Sequence, residues 1–217
     1  MLAFAFIITL SFLALVLGVH TYSRYINPGL PGMKKEVIKL RSEARRMADE
    51  LIPIDRNELD LLSAKVVNKQ LKGRIFGRKS RGYITSIYDE PLLAFVVKRY
   101  PKRSKKTIYY VRSSNSEIVI IKGRKGAQLY IDGHPVGMVK DGKILERKQN
   151  RKLGELVSLP SLPEEVKVGN KKVATLNSDV DTKSVHPRLF TFINPVSADE
   201  KRVLLVLVVY KLLVSND

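Results

Sequence analysis

Eighteen residues run from Leu2 to Val19 without a charge, broken only by the polar Thr9 and Ser11. A helix of that length covers about 27 Å, close to the ~30 Å hydrocarbon core of a bilayer. Such a segment either crosses a membrane or is hidden from water, and everything after it is polar enough to fold in water. The reading is a transmembrane anchor over residues 1–20. Two other readings compete with it. A cleaved signal peptide opens with a positive stretch and ends at a small-residue site. No Lys or Arg precedes Arg24, and Leu17-Gly18-Val19-His20 is a poor cleavage site. A lipoprotein signal requires a cysteine, and the chain has none. A core helix starting uncapped at Met1 is the third reading.

Charge sets the expected orientation. Arg24, Lys34, Lys35, Lys39, Arg41, Arg45 and Arg46 all follow the apolar run. Positive flanks stay on the cytoplasmic side, so the C-terminal region is expected in the cytoplasm. The absence of cysteine rules out a disulfide framework and leaves a packed core to hold the fold. The formal net charge is +18, from 39 basic against 21 acidic residues. That excess suits a polyanionic partner: anionic lipid headgroups, nucleic acid or an acidic protein. Lipid is the nearest polyanion to a tethered domain, and each Lys or Arg at its surface contributes on the order of 1 kcal/mol.

Tyr22 and Tyr25 stand where aromatic side chains favour the headgroup interface. The run Asn27-Pro28-Gly29-Leu30-Pro31-Gly32 removes backbone donors and permits positive φ, which predicts a hinge over residues 21–33. Residues 34–52 then read as a basic amphipathic helix. Val37, Leu40, Ala44, Met47 and Leu51 form one apolar stripe, and Pro53 ends the helix. The stripe has three uses: lying on the membrane, pairing with another helix, or packing on the chain's own domain.

Residues 60–217 read as a basic, mainly β domain, an antiparallel barrel or sandwich with a buried C-terminal helix. Eleven β-type runs are punctuated by turn signals: residues 64–67, 83–88, 92–98, 107–112, 117–122, 128–131, 136–139, 143–145, 165–168, 173–176 and 189–193. Asp132-Gly133 and Asp141-Gly142 suit tight hairpins, although Pro135 suggests a longer loop at the first. Near the end, Ser197-Ala198-Asp199-Glu200 has the form of a capping box. The segment Val203 to Leu213 is apolar on every side except at Lys211. A helix of that kind is buried all round, and it is too short to span a bilayer. Its valines also suit a strand.

Leu129-Tyr130-Ile131-Asp132-Gly133 through Val139, Val166 to Leu176, and Ser197 to Leu213 give a strand-rich chain ending in a capped, wholly apolar helix. Over roughly residues 60–215 this pattern resembles the tubby C-terminal domain and its relatives, the LURP-one-related and phospholipid-scramblase families. The resemblance implies a closed barrel threaded by the C-terminal helix, and membrane and phosphoinositide binding. It assigns no individual binding residue. It departs from those families at the front, because tubby domains carry no membrane span before the barrel and scramblases place their hydrophobic segment at the other end.

Three basic clusters fall at expected turns, where side chains can converge on a phosphate. The first is Arg74, Arg78, Lys79 and Arg81. The second is Lys102, Arg103, Lys105 and Lys106, with Lys98 and Arg99 just before it. The third is Lys122, Arg124 and Lys125. Residues 73–80 imitate a phosphate loop but carry Arg78 where glycine is needed and lead into a strand, which argues against an ATPase. Phe76, Tyr88, Tyr100, Tyr109 and Tyr110 lie among the charges and suit either base stacking or strand packing. Asp179-Val180-Asp181-Thr182 lacks the glycine and closing glutamate of a calcium loop. His20, His134 and His186 are too far apart for a zinc pattern. No catalytic residue, metal ligand or cofactor is assigned. The expected function is a single-pass, membrane-anchored binding module contacting anionic headgroups. The alternatives are an assembly protein self-associating through residues 34–52, or a membrane enzyme with dispersed catalytic residues.

Overall fold

The computed structural model describes residues 2–26, 28–71, 78–101, 104–124, 126–149, 151–158, 163–177 and 187–215. The apolar run forms helix α1 (Leu2–Ile26). None of its most apolar stretch, Phe6–Ser23, is buried against the rest of the protein. Thr21 satisfies its hydroxyl within the helix, donating to the carbonyls of Leu17 (2.8 Å) and Gly18 (3.0 Å). Among the described residues α1 is the one helix long and apolar enough to cross a membrane, a description that an anchor and a signal sequence both meet.

The chain break after α1 is shorter than its Pro and Gly content suggests. Helix α2 (Leu30–Arg45) begins at once, with Pro31 and Gly32 inside its first turn. Proline is tolerated there because the first-turn amides have no intrahelical acceptor. A 3₁₀ turn (Ala48–Glu50) and a short helix α3 (Arg56–Asp60) follow.

Among the described residues twelve strands then pair in strict sequence order, each antiparallel to the next. They are β1 (Leu62–Leu71), β2 (Arg78–Ser86), β3 (Pro91–Arg99), β4 (Thr107–Arg112), β5 (Glu117–Gly123) and β6 (Gly126–Ile131). The sheet continues through β7 (His134–Lys140), β8 (Lys143–Glu146), β9 (Lys152–Val157), β10 (Glu165–Val168), β11 (Lys171–Leu176) and β12 (Phe190–Ile193). The two ends of the sheet meet. Ser63 of β1 bridges Arg188, and the Ala64 and Leu189 amides donate to Pro187 (2.8 Å) and Leu62 (2.7 Å). The result is a nearly closed antiparallel barrel.

The C-terminal apolar segment is helix α4 (Ala198–Val209), continued by a π-helical turn over Tyr210–Val214. Its capping box is complete: Glu200 N donates to Ser197 Oγ (3.3 Å) and Ser197 N to Glu200 Oε2 (2.7 Å). Leu204 through Val209 are six consecutive buried residues. An unbroken buried run covers every face of a helix, so strands must surround it. Inward residues from β2 through β11, among them Ile84, Phe95, Tyr109, Ile120, Leu129, Val139, Ile144, Val166 and Val173, form one cluster with α4.

A second cluster lies on the outer wall. Met33, Leu40, Ala44, Met47 and Leu51 pack on Ala94, Val96, Ile108, Tyr110 and Val119. Of the three uses of the amphipathic stripe, packing on the chain's own barrel is the one realised. The central strands β3 to β5 are therefore apolar on both faces, one toward α4 and one toward α2.

Two local features differ from the sequence reading. The Asp132-Gly133 hairpin is tight despite Pro135. Asp132 and Gly133 take φ of 51° and 80°, Ile131 pairs with His134, and a register shift between Leu129 and Tyr130 accommodates the proline. Strand β9 had no counterpart among the expected runs, because its charges and the central Gly154 dilute the β signal. That glycine has a packing reason. A Cβ there would sit 2.7 Å from Val203 Cγ1 of α4 and 3.0 Å from the Lys167 carbonyl. Gly154→Ala should therefore cost about 1–3 kcal/mol by overpacking. Chemical denaturation checks this, and adding Val203→Ala to that variant should recover part of the loss.

Candidate anion-binding cleft

Antiparallel order decides which turns share an end of the barrel. The start of β2, the β3–β4 turn, the β5–β6 turn and the β7–β8 turn all lie at one end. That end carries Arg78, Lys79, Lys98, Arg99, Lys105, Lys106, Lys122, Arg124, Lys140 and Lys143. Helix α4 enters from the opposite end and finishes here, where Lys122 Nζ donates to the Val214 carbonyl (3.1 Å). A cation at a helix C-terminus is favoured by the macrodipole.

The basic clusters are brought together only in part. Lys106, Lys122 and Arg124 line one cleft of about 400 Å³, with Met33, Ile121, Gln128 and Met138. This joins the second and third clusters beneath the start of α2. Lys105, exposed and at φ 48°, flanks it on the turn. The first cluster is split by strand alternation. Arg81 points outward and is exposed, and Arg78 lies on the inner face at the rim. Lys79 points outward and pairs with Glu43 of α2. Arg74, Lys102, Arg103 and Lys125 lie outside the described residues, as do Phe76, Asp179 to Thr182 and His186.

The tyrosines do not build a stacking groove. Tyr109 is buried in the barrel interior and Tyr110 beneath α2. Tyr88 is exposed at the far end, and Tyr100 packs in the outer cluster with Lys98 Nζ 6.0 Å above its ring. No group of three or more His, Asp or Glu poised to hold a metal occurs among the described residues.

One tie bears directly on the cleft. Lys106 Nζ donates to the carbonyl of Pro28 (2.9 Å). Pro28 lies two residues beyond the end of α1, a separation that chain geometry limits to about 7 Å. The exit of the apolar helix is thus fastened to the basic end.

A polar cluster missed by sequence reasoning fastens the middle of α2. Arg41 grips the buried Glu117 carboxylate with two donors, its Nε lying 3.0 Å from Oε2. The Tyr110 hydroxyl donates to the same carboxylate (2.5 Å). Burial opposes ionisation of Glu117, but the hydrogen bonds from Tyr110 and Arg41 outweigh it and hold the carboxyl below its usual range. The same burial and the neighbouring carboxylate push the Tyr110 phenol up. Tyr83 is raised to about 12 by its own burial, then by its hydrogen bond to Glu50. The available signal was Glu117 itself, an acid opening an apolar strand.

No protein-family model matches the chain, and no curated protein or solved structure matches it.

Because the folded carboxyl of Glu117 is depressed, its contribution is present above the unfolded pKa and is lost as pH falls through the folded value. Glu117→Gln should cost about 2 kcal/mol at neutral pH, less than the ~3–5 kcal/mol of a fully buried pair, because a third of the Arg41 side chain meets water. Urea titrations from about pH 7 down to about pH 3 should show a smaller acid-dependent loss in the variant than in the parent.

Proposed function

We propose that the chain is a single-pass, membrane-anchored binding module without catalytic activity, facing the cytoplasm, whose basic end rests on anionic lipid headgroups. The tie between Lys106 and Pro28 carries this reading, because it holds the point where α1 ends against the cleft formed by Lys106, Lys122 and Arg124. With α1 in a bilayer, a short link turns that end, rather than the side of the barrel, toward the surface. Basic residues after the apolar run favour the cytoplasmic side. A headgroup phosphate would meet Lys106 and Arg124 in the cleft, with the positive end of the α2 dipole adding to the field. The likeness in sequence pattern to the tubby, LURP-one-related and scramblase families implies a membrane-facing role, and a nearly closed barrel with a C-terminal helix is consistent with that likeness.

Burial of the α2 stripe weighs against self-association through it, since Leu40, Ala44, Met47 and Leu51 are already covered by the barrel.

The test is flotation of residues 28–217 on neutral and on anionic vesicles across a salt series. Neither packed cluster contains a residue before Met33, so this fragment keeps its whole core. Binding should require anionic lipid and fade as salt rises. Combining Lys105→Glu with Arg124→Glu should weaken it by tenfold or more, at about 1 kcal/mol for each charge removed. Equal binding to neutral vesicles, or no effect of the double reversal, would overturn the reading.

A further inference from the structure

Beside α2 the outer wall holds an apolar trough that the described residues leave open. Leu30, Val37 and Ile38 form its α2 bank, and Val119 and Ile121 of β5 with the ring of Tyr130 of β6 form its barrel bank. Its volume is about 240 Å³. From Leu30 to Arg41 it follows three turns of α2, about 16 Å. Leu30 and Ile38 are 60% and 62% exposed, so this bank leaves apolar side chains in water.

The trough shares Met33 and Ile121 with the basic cleft, so the two are continuous. Its other end reaches Gly133, in the β6–β7 turn at the opposite end of the barrel. One mouth therefore lies at the basic end, where Lys106 holds Pro28. The side-chain polar groups along the trough are few. Arg41 is committed to Glu117, and the Tyr130 hydroxyl donates to Gln128 Oε1 (3.1 Å). Lys34 lines the trough near the start of α2, is exposed, and has no ion-pair partner among the described residues.

An occupant with its own donors and acceptors would bury them unmatched here, at a cost in free energy. A hydrocarbon chain has none to lose, and it would cover apolar wall that faces water. A second copy of the chain is opposed by charge, because Lys34, Lys35 and Lys39 all stand exposed on α2. The uncommitted Lys34 suits an anionic head at the mouth instead.

We infer that the trough takes up one acyl chain of an anionic bilayer lipid, with the lipid head beside Lys34. The chain enters at the basic end and runs along α2 toward Gly133. The source of the lipid rests on the membrane reading above, whereas the fit of trough to chain does not.

The chain has no tryptophan, so one introduced indole reports alone. Tyr130→Trp in residues 28–217 places that indole in the trough. Titration with 11-bromoundecanoate, below its micelle concentration, should quench it to saturation. The shorter 6-bromohexanoate should bind at least tenfold weaker, because it buries fewer methylenes. Ile38→Asp, at an exposed position outside both packed clusters, should weaken binding by tenfold or more. Lys34→Gln should weaken it by about fivefold and leave binding of 11-bromoundecan-1-ol unchanged, whereas Lys148→Gln, exposed and remote, should alter neither. Vesicles of phosphatidylcholine and phosphatidylglycerol, the latter brominated mid-chain, test the source. They should quench the trough indole, and Ile38→Asp should remove that quenching at equal flotation. Flotation without quenching would overturn the inference and leave the surface reading standing. No flotation would overturn that reading and, with it, the bilayer as source. No saturable quenching by 11-bromoundecanoate, or quenching that survives Ile38→Asp, would overturn the trough as the site.

Discussion

A helix with no polar face has to be enclosed, and the rest of this structure follows from that requirement. Leu204 to Val209 give up no side to water. A single flat sheet would cover one face only, whereas a barrel of twelve strands covers them all. The backbone of α4 satisfies its own hydrogen bonds, and its first turn is completed by the Ser197–Glu200 box, so nothing polar is stranded by enclosure. At Gly154 the wall carries no side chain, and Val203 of α4 stands where a Cβ would need room.

Enclosure of α4 makes the strands around it apolar inward, and β3 to β5 are apolar outward as well. That second face would be exposed without α2. Helix α2 is thus part of the fold rather than a linker between membrane and domain. Its attachment is both apolar, through Leu40 and Ala44, and polar, through Arg41 on Glu117 and Lys79 on Glu43, and the turn that follows it adds Met47 and the hydrogen bond from Tyr83 to Glu50. The Arg41 pair is specific in direction: a bidentate fork on one buried carboxylate fixes where along the barrel α2 lies.

Position along the barrel matters because α2 follows directly on α1. A helix fixed to the outer wall, with Pro28 tied to Lys106, leaves little freedom in where the apolar helix departs. The basic turns are gathered at that end by antiparallel order alone, since every second turn of an up-and-down meander falls on the same side. Alternation then divides their side chains. Lys79 and Arg81 face out, and Arg78, Arg99 and Lys122 face the barrel mouth. One cationic end thereby offers two different surfaces, an outer cleft beside α2 and an inner rim at the barrel mouth.

By itself the sequence determined what depends on local pattern. The apolar length of α1, the Ser197 cap, the all-round hydrophobicity of α4 and the alternation of most strands are carried by neighbouring residues, because helix and strand periods are local. Strand β9 escaped because Gly154 answers to a contact with Val203, some fifty residues away along the chain. The same distinction applies to function. The charge excess and the basic turns were visible in one dimension, and so was their placement between strands. Only the tertiary structure decided that Lys106, Lys122 and Arg124 share a cleft, that Lys79 is paired with α2, and that Arg78 and Arg99 stand opposite each other on the inner face. Register and closure settle those relations. Both are set by packing around α4 between residues far apart in the chain, which no short stretch of sequence specifies.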